Sequence, residues 1–170
     1  ALVSRLFGCA QVQSVRTAQV QQLRDLALNQ LHPFIVVQGD KGVGKTTLVN
    51  NATEKICGVV QVNVSPGDSD QEILNNVYRK ITFNRFSISS PTTPAERAIK
   101  LYNFVTRRRP IVILSVKEVH PGKEYADVVA ATRTLTEHNK CLVIVDASSN
   151  SMPPNRNTSR EKQVSFFFVS

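Results

Sequence analysis

The sequence predicts an α/β fold in which helices cover both faces of a mostly parallel, five-stranded sheet. Three observations lead to this prediction. Five short apolar runs have the length of buried strands, and segments with helical spacing of apolar residues lie between most of them. The chain has 170 residues, which is enough for one such sheet but leaves no room for a second domain. We therefore expect a single domain over residues 1–170.

The first elements are a helix, a strand, a glycine-rich loop and a second helix. After an irregular opening around residues 6–8, apolar residues at spacings of three and four predict a helix over residues 13–31. The apolar run Phe34–Val37 predicts a buried strand, and residues 46–57 predict a helix that Gly58 stops. The glycine-rich loop therefore joins the end of a strand to the start of a helix.

This loop contains the complete pattern G-x-x-x-x-G-K-[ST] from Gly39 to Thr46, which is a P-loop. Its glycines allow backbone N–H groups to wrap a polyphosphate, Lys45 adds a charge at the phosphates, and Thr46 offers a hydroxyl to Mg²⁺. The pattern predicts a bound nucleotide with Mg²⁺. The predicted nucleotide-binding residues are Gly39, Asp40, Lys41, Gly42, Val43, Gly44, Lys45, Thr46 and Thr47, with Thr46 also a metal ligand.

Two other classes of P-loop protein fit the sequence less well. A GTPase carries N-K-x-D after a strand, whereas Asn139-Lys140 precedes a predicted strand and lacks the aspartate. A second group has an extra lysine early in the loop, where this chain has Asp40. We therefore expect ATP as the nucleotide.

The remaining elements are predicted from capping signals and apolar runs. Ser69 with Glu72, and Thr93 with Glu96, form capping boxes that predict the starts of two helices. The second of these helices carries Ala98, Ile99, Leu101, Tyr102 and Val105 on one face. The other predictions are strands over 59–64, 110–116, 141–145 and 164–169, a helix over 124–138, and a polar loop over 83–92.

Charge and composition allow several partners. The formal charge of +8 and the pI near 9.8 are compatible with a nucleic acid or an acidic surface as partner, without requiring either. Arg107–Arg109 end a predicted helix, and no aromatic residues alternate with them, which favours a solvated helix terminus over a nucleic-acid patch. No apolar run approaches the roughly 20 residues of a membrane span.

The cysteines and the N-terminal segment bear on location. Three cysteines without C-x-x-C spacing indicate neither a disulfide framework nor a zinc site, so an intracellular location, cytoplasmic or nuclear, is expected. Residues 1–24 contain three arginines and no acidic residue, a composition that overlaps mitochondrial transit peptides. The start of a fragment explains the same residues equally well.

The helix before the P-loop strand, the loop Gly39–Leu48 and the order of the later elements resemble the AAA+ and STAND ATPases, particularly their origin-recognition-like and archaeal-ATPase-like branch. The resemblance implies the strand order 5-1-4-3-2, MgATP as ligand, a nucleotide-dependent switch, and a protein partner or self-association. It also implies a C-terminal helical lid. Because the sequence reaches Ser170 without one, we expect a fragment of a longer chain.

The third strand departs from the family pattern. The family ends this strand with an aspartate that holds a metal-bound water and a glutamate that polarises the attacking water, whereas Ile111–Leu114 is followed by Ser115, Val116, Lys117 and Glu118. Ser115 is then at most a weak ligand of the metal shell, because its oxygen is neutral. Glu118 is a candidate catalytic residue if its loop turns inward, and a surface glutamate otherwise.

The fourth strand supplies a second candidate carboxylate. Asp146 follows the apolar run Leu142–Val145, and the implied strand order places it beside the P-loop strand. There it would hold Mg²⁺ through a water and face the Thr46 hydroxyl across a gap filled by that water; the alternative is an aspartate that caps its own loop. Asn150 follows at the family's sensor position and is the third catalytic candidate, with Glu118 and Asp146. Arg156 and Arg160 are either contacts to a phosphate of a neighbouring subunit or plain surface arginines.

The expected function is therefore an ATP-binding switch that hydrolyses ATP slowly. A pseudo-ATPase that binds ATP without hydrolysing it is the rival, because Ser115 replaces a carboxylate. A small-molecule kinase that uses Arg107–Arg109 as phosphate clamps fits less well, because kinase lids usually follow the third strand and these arginines precede it.

Overall fold

The computed structural model describes residues 2–40, 42–82, 92–116, 123–138, 140–148 and 164–168. Within them, no helix combines the length and the apolar character needed to cross a bilayer. The helices are α1 (Leu2–Asn29), α2 (Lys45–Thr53), α3 (Asp70–Ile81), α4 (Thr92–Thr106) and α5 (Lys123–Arg133), the last followed by a π-helical turn, Thr134–His138; the strands are β1 (Phe34–Gly39), β2 (Val59–Val64), β3 (Ile111–Val116), β4 (Leu142–Ser148) and β5 (Val164–Phe168).

The five strands form one sheet in the order β2-β3-β4-β1-β5, and every neighbouring pair is parallel. Read from the other edge, this is the predicted order 5-1-4-3-2. The prediction of a parallel α/β sheet is thus confirmed. Since β4 lies between β1 and β3, the end of β4 is the strand end that adjoins the P-loop on that side.

Helices pack on both faces, as predicted, because neighbouring apolar residues of each strand point to opposite sides. On one face Val37 of β1 packs with Leu23 of α1 and Val49 of α2. On the other face Val36 packs in a cluster that includes Val77 of α3. The P-loop helix and the helix before it therefore share one core, and α3, α4 and α5 share the other.

Helices α1 and α2 differ from the predictions at their boundaries. Helix α1 begins at Leu2 rather than near residue 13. The segment around residues 6–8, predicted to be irregular, is therefore helical in the structure. It ends before Gln30, whose φ of 48° lies in the left-handed region and cannot continue a helix. Helix α2 ends at Thr53 rather than residue 57, and a turn in which the N–H of Ile56 bonds to the carbonyl of Thr53 leads to β2.

The capping box at the start of α3 is confirmed. The N–H of Glu72 donates to the Ser69 hydroxyl, and the N–H of Ser69 donates to the Glu72 carboxylate at 2.8 Å. The hydrogen bonds that the exposed Glu72 carboxylate accepts from the N–H and from the hydroxyl of Ser69 hold the pKa of this group below its ordinary value of 4.5.

Helix α4 differs from its prediction at its start and on its outer face. It starts at Thr92, so Thr93 lies inside the helix rather than at its cap; most of the predicted loop 83–92 lies outside the described residues. Ile99 is buried, but Leu101 and Val105, predicted to share its face, are exposed. Apolar spacing predicted the helix correctly but could not tell an inward stripe from a second, outward one.

Candidate nucleotide-binding site

The glycine-rich loop has the backbone conformation that its sequence predicts. Gly42 and Gly44 have φ values of 89° and 84°, which only glycine adopts readily. A Cβ atom at either position would meet no atom within 4 Å, so conformation and not crowding requires glycine here. Gly44 is also the N-cap of α2 and provides no side-chain cap, so the first N–H groups of the helix remain available to an anion.

The Lys45 side chain is buried and bends back over the loop. Its ammonium donates to the carbonyl oxygens of Gly39 at 2.9 Å and of Asp40 at 2.7 Å. Both acceptors are neutral, so the hydrogen bonds satisfy the donors without neutralising the charge. A positive charge held in this way suits an anionic ligand that can replace the two carbonyls.

The end of β4 brings a carboxylate to the start of α2. Asp146 pairs in register with Val37 of β1, and its carboxylate accepts a hydrogen bond of 2.6 Å from the hydroxyl of Thr46. Asp146 is only 5% exposed, whereas Thr46 is exposed. The sequence predicts that these two residues face each other across a gap that would hold the metal and its water. The two groups instead bond directly, because a buried carboxylate is stabilised by the nearest donor.

Ser115 lies beside Asp146, but its hydroxyl is hydrogen-bonded to a different strand. The two residues pair in register between β3 and β4. The Ser115 hydroxyl accepts from the Gln61 amide at 3.3 Å, on the β2 side and away from the P-loop strand. Sequence reasoning gave Gln61 no role, although it is the one polar residue inside Val59–Val62.

Several predicted site residues receive no description. Lys41, Glu118, Asn150, Arg156 and Arg160 lie outside the described residues, so their roles stay predictions. Among the residues that are described, no three His, Cys, Asp or Glu side chains gather into a group that could hold a metal. The described part of the site thus consists of the loop, Lys45, Thr46, Thr47 and Asp146, with Ser115 one strand further away.

The parallel sheet with this strand order and the glycine-rich loop between β1 and α2 define a P-loop NTPase of the AAA+ and STAND class. The chain belongs to the NB-ARC domain family, whose profile matches residues 16–167. That match covers the loop, the first four strands and all but the last residue of β5. The predicted resemblance to AAA+ and STAND ATPases is confirmed. No curated protein matched the sequence.

Solved structures of origin-recognition and STAND proteins have a similar fold. The ORC2 protein of Aeropyrum pernix, in ADPNP–ADP complexes, matches with a TM-score of 0.55 at 16% identity over 91% of this chain and 47% of its own. A STAND protein with a tetratricopeptide repeat sensor, from Pyrococcus horikoshii, matches with a TM-score of 0.53 at 14% identity over 90% of this chain and 22% of its own. The Drosophila origin recognition complex bound to DNA contains a chain that matches with a TM-score of 0.50 at 16% identity over 92% and 41%.

The chain therefore spans less than half the length of these structures. At such identities the likeness shows the fold. The family adds that this is a nucleotide-binding P-loop domain.

Proposed function

We propose that this domain is a switch that binds MgATP through the P-loop and hydrolyses it slowly. The observation that carries the proposal is the contact between Thr46 and Asp146, together with the buried Lys45, whose ammonium donates to two backbone carbonyls of the loop. Phosphate and a divalent cation are the two ligands that such a pair of features suits.

The loop residues would hold the phosphates. Lys45 would exchange the carbonyls of Gly39 and Asp40 for phosphate oxygens, which bear the opposite charge and bond more strongly. The N–H groups at the start of α2 and of the loop would complete the cradle. The missing aspartate of the N-K-x-D pattern favours adenine over guanine, and the ADPNP–ADP complexes of the similar ORC2 protein support the same choice.

Thr46 and Asp146 fit the environment of a magnesium ion. The hydroxyl hydrogen of Thr46 is engaged by Asp146, which leaves the oxygen lone pairs of Thr46 free to face a cation. The carboxylate of Asp146 retains acceptor capacity for a water of the metal shell. Bound Mg²⁺ would stabilise charge on the phosphates. Ser115 would contribute to this shell weakly at most, because its hydroxyl is bonded to Gln61.

Slow hydrolysis follows from the number of carboxylates available. Asp146, the carboxylate described at this site, is held by Thr46, so a second group must polarise the attacking water. We propose Glu118 for that role and Asn150 as a contact to the γ-phosphate. If neither reaches the site, the domain binds ATP and signals its presence without hydrolysis, which is the pseudo-ATPase alternative favoured by the neutral Ser115.

The remaining parts of the proposal concern partners and location. We propose that the nucleotide state is read by a protein partner or by another copy of the chain inside the cell. Nucleic acid is a further candidate partner, since one structural neighbour is bound to DNA. The tetratricopeptide repeat sensor of another neighbour supports a partner protein.

Calorimetry with ATP, ADP and GTP in the presence of Mg²⁺ tests the proposal. We expect Lys45→Ala to weaken ATP binding by at least about a hundredfold, because the charge-assisted phosphate contacts vanish. Lys55→Ala, which removes an exposed lysine after α2, is the matched control and should bind like wild type. Equal binding by Lys45→Ala, or a preference for GTP, would refute the nucleotide assignment. Turnover faster than roughly 1 s⁻¹, the lower end of ordinary enzymes, would refute slow hydrolysis.

A further inference from the structure

The outer face of α4 is an apolar patch without a partner in the described structure. Phe104 is 84% exposed, Val105 69% and Leu101 63%. At 100° per residue, these three side chains lie within an arc of about 100° on the helix. Single exposed apolar residues are common, but three adjacent ones that include an aromatic ring mark an interaction surface.

The opposite face of the helix fixes this orientation. Ala95 and Ile99 are buried against the core shared with α3. The Tyr102 hydroxyl donates to the carbonyl of Cys57 at 2.8 Å, and its ring lies where a Cβ on Gly58 would sit. Rotating α4 to bury Phe104 would remove these contacts. The exposure of the patch is therefore built into the packing of the helix.

Basic side chains border the patch at both ends. Arg97 precedes Leu101 by four residues, and Lys100 precedes Phe104 by four, so each lies next to the apolar residue on the helix surface. Arg107 and Arg108 follow the last turn, and all four cations are exposed. Glu96 lies four residues before Lys100 on the same helix, but the structure shows no ion pair between them, and among the described residues none of the four cations is in an ion pair. A ligand that is apolar at its centre and acidic at its rim would therefore complement this face.

We propose that the outer face of α4 docks an acidic amphipathic helix of a protein partner. Such a helix carries apolar residues at spacings of three and four, which match the apolar spacing on α4, and glutamates or aspartates that pair with the cations. Pairing with α4 of a second copy is unfavourable, because it would bring the same cations face to face.

Two other occupants fit the patch less well. The apolar residues span only about 6 Å of helix, at 1.5 Å per residue, which is too short to insert stably into a bilayer. A nucleic acid would meet Leu101 and Val105 with its phosphates, and these side chains offer no hydrogen bond. Anionic vesicles and DNA therefore serve as test arms.

The patch lies away from the P-loop. Helix α4 leads into β3 through Pro110, whose carbonyl accepts from the N–H of Leu142 at the start of β4. Pro110 and the P-loop lie at opposite ends of the parallel sheet, in which the six-residue strand β1 is about 20 Å long. We therefore expect docking on α4 to leave the proposed nucleotide binding unchanged.

The test uses fluorescence anisotropy with the full chain and two labelled helical peptides of about 15 residues. Both carry leucines spaced by three and four; one has glutamates around them and the other lysines. We expect the acidic peptide to bind at least about tenfold more tightly than the basic one, with an affinity that falls as salt is added. Phosphatidylserine vesicles and double-stranded DNA are measured in parallel.

Variants then locate the binding. Phe104→Ser should weaken the acidic peptide at least about tenfold, the loss usual for a central aromatic contact. The double variant Arg97→Gln/Arg108→Gln should weaken it less and flatten its salt dependence. Val129→Ser on α5 and Arg133→Gln are matched apolar and basic controls and should leave it unchanged. Since Phe104 is exposed, its replacement should not change the melting temperature.

Several outcomes would overturn the proposal. These are no binding of either peptide, equal binding of both, and binding that survives Phe104→Ser. Phe104-dependent binding of the vesicles or of DNA, without binding of the acidic peptide, would assign the face to those partners instead. Calorimetry of Phe104→Ser with MgATP should match wild type, so failure here leaves the nucleotide proposal standing.

Discussion

The ends of β3 and β4 place two buried polar residues side by side and use them differently. Ser115 and Asp146 pair in register and are 4% and 5% exposed. Asp146 accepts from Thr46 of the P-loop helix, whereas Ser115 accepts from Gln61 of the edge strand β2. The structure thus places a carboxylate on the strand next to β1, whereas the resemblance to AAA+ and STAND ATPases implies one on β3.

Adding a carboxylate on β3 should have the largest effect on this arrangement. Ser115→Asp would place two buried carboxyl groups on neighbouring strands about 4.8 Å apart. We expect a loss of about 3 kcal/mol in the free energy of unfolding near neutral pH, measured by urea denaturation, because a buried charge lacks a counter-ion. Ser115→Asn, similar in size and uncharged, is the control. Equal stability of Ser115→Asp and Ser115→Asn would mean that the β3 position is open to water and is not comparable with Asp146.

Removing the donor to Asp146 should have the next largest effect. Thr46→Val keeps the shape of the side chain but leaves the carboxylate without its hydroxyl donor, at a cost of about 1–3 kcal/mol. Ser115→Ala should cost less, about 0.5 kcal/mol, since the half-buried Gln61 amide can turn to water. Denaturation of both variants without nucleotide compares the two. If Ser115→Ala lost more unfolding free energy than Thr46→Val, the hydrogen bond at Ser115 and not the one at Asp146 would be the stronger.

The response to magnesium tests the role of Asp146 directly. Asp146→Asn should raise the Mg²⁺ concentration needed for half-maximal ATP binding by about tenfold, as charged ligands of a hard cation are lost or weakened. Ser115→Ala should leave it within about twofold. The readout is a calorimetric Mg²⁺ titration at fixed ATP, and ATP affinity in EDTA is the control. If both variants raised this Mg²⁺ concentration equally, Ser115 on β3 would contribute to the metal site as much as Asp146.

Sequence reasoning predicted those parts of the molecule that depend on local signals. The Ser69–Glu72 box, the strand Val59–Val64 and the glycine conformations of the P-loop each follow from a few neighbouring residues. The contact between Thr46 and Asp146 joins residues 100 positions apart. The strand order implied by the family resemblance brings the two residues near each other, but no signal in the sequence indicates a direct bond between them.

The features that could not be predicted depend on contacts between elements that are distant in the sequence. The exposure of Leu101 and Val105 depends on how Tyr102 anchors α4 to the chain before β2, which apolar spacing does not encode. The hydrogen bond from Gln61 to Ser115 likewise needs β2 and β3 in register. Without this register, the sequence does not indicate whether the Ser115 hydroxyl bonds to β2 or faces the P-loop.

The smallest expected effect decides whether Ser115 has any part in the metal shell. Gln61→Leu removes the amide that donates to the Ser115 hydroxyl and adds apolar surface to a half-buried position. The two contributions offset each other, so we expect stability within about 0.5 kcal/mol of wild type. If the hydroxyl served the metal, freeing it from Gln61 would lower the Mg²⁺ concentration needed for ATP binding. We expect no change, because β4 separates Ser115 from the P-loop strand and Asp146 already occupies the nearer position. A clear gain in Mg²⁺ response in the same calorimetric titration, absent from the double variant Gln61→Leu/Ser115→Ala, would show that both strand ends share the cation.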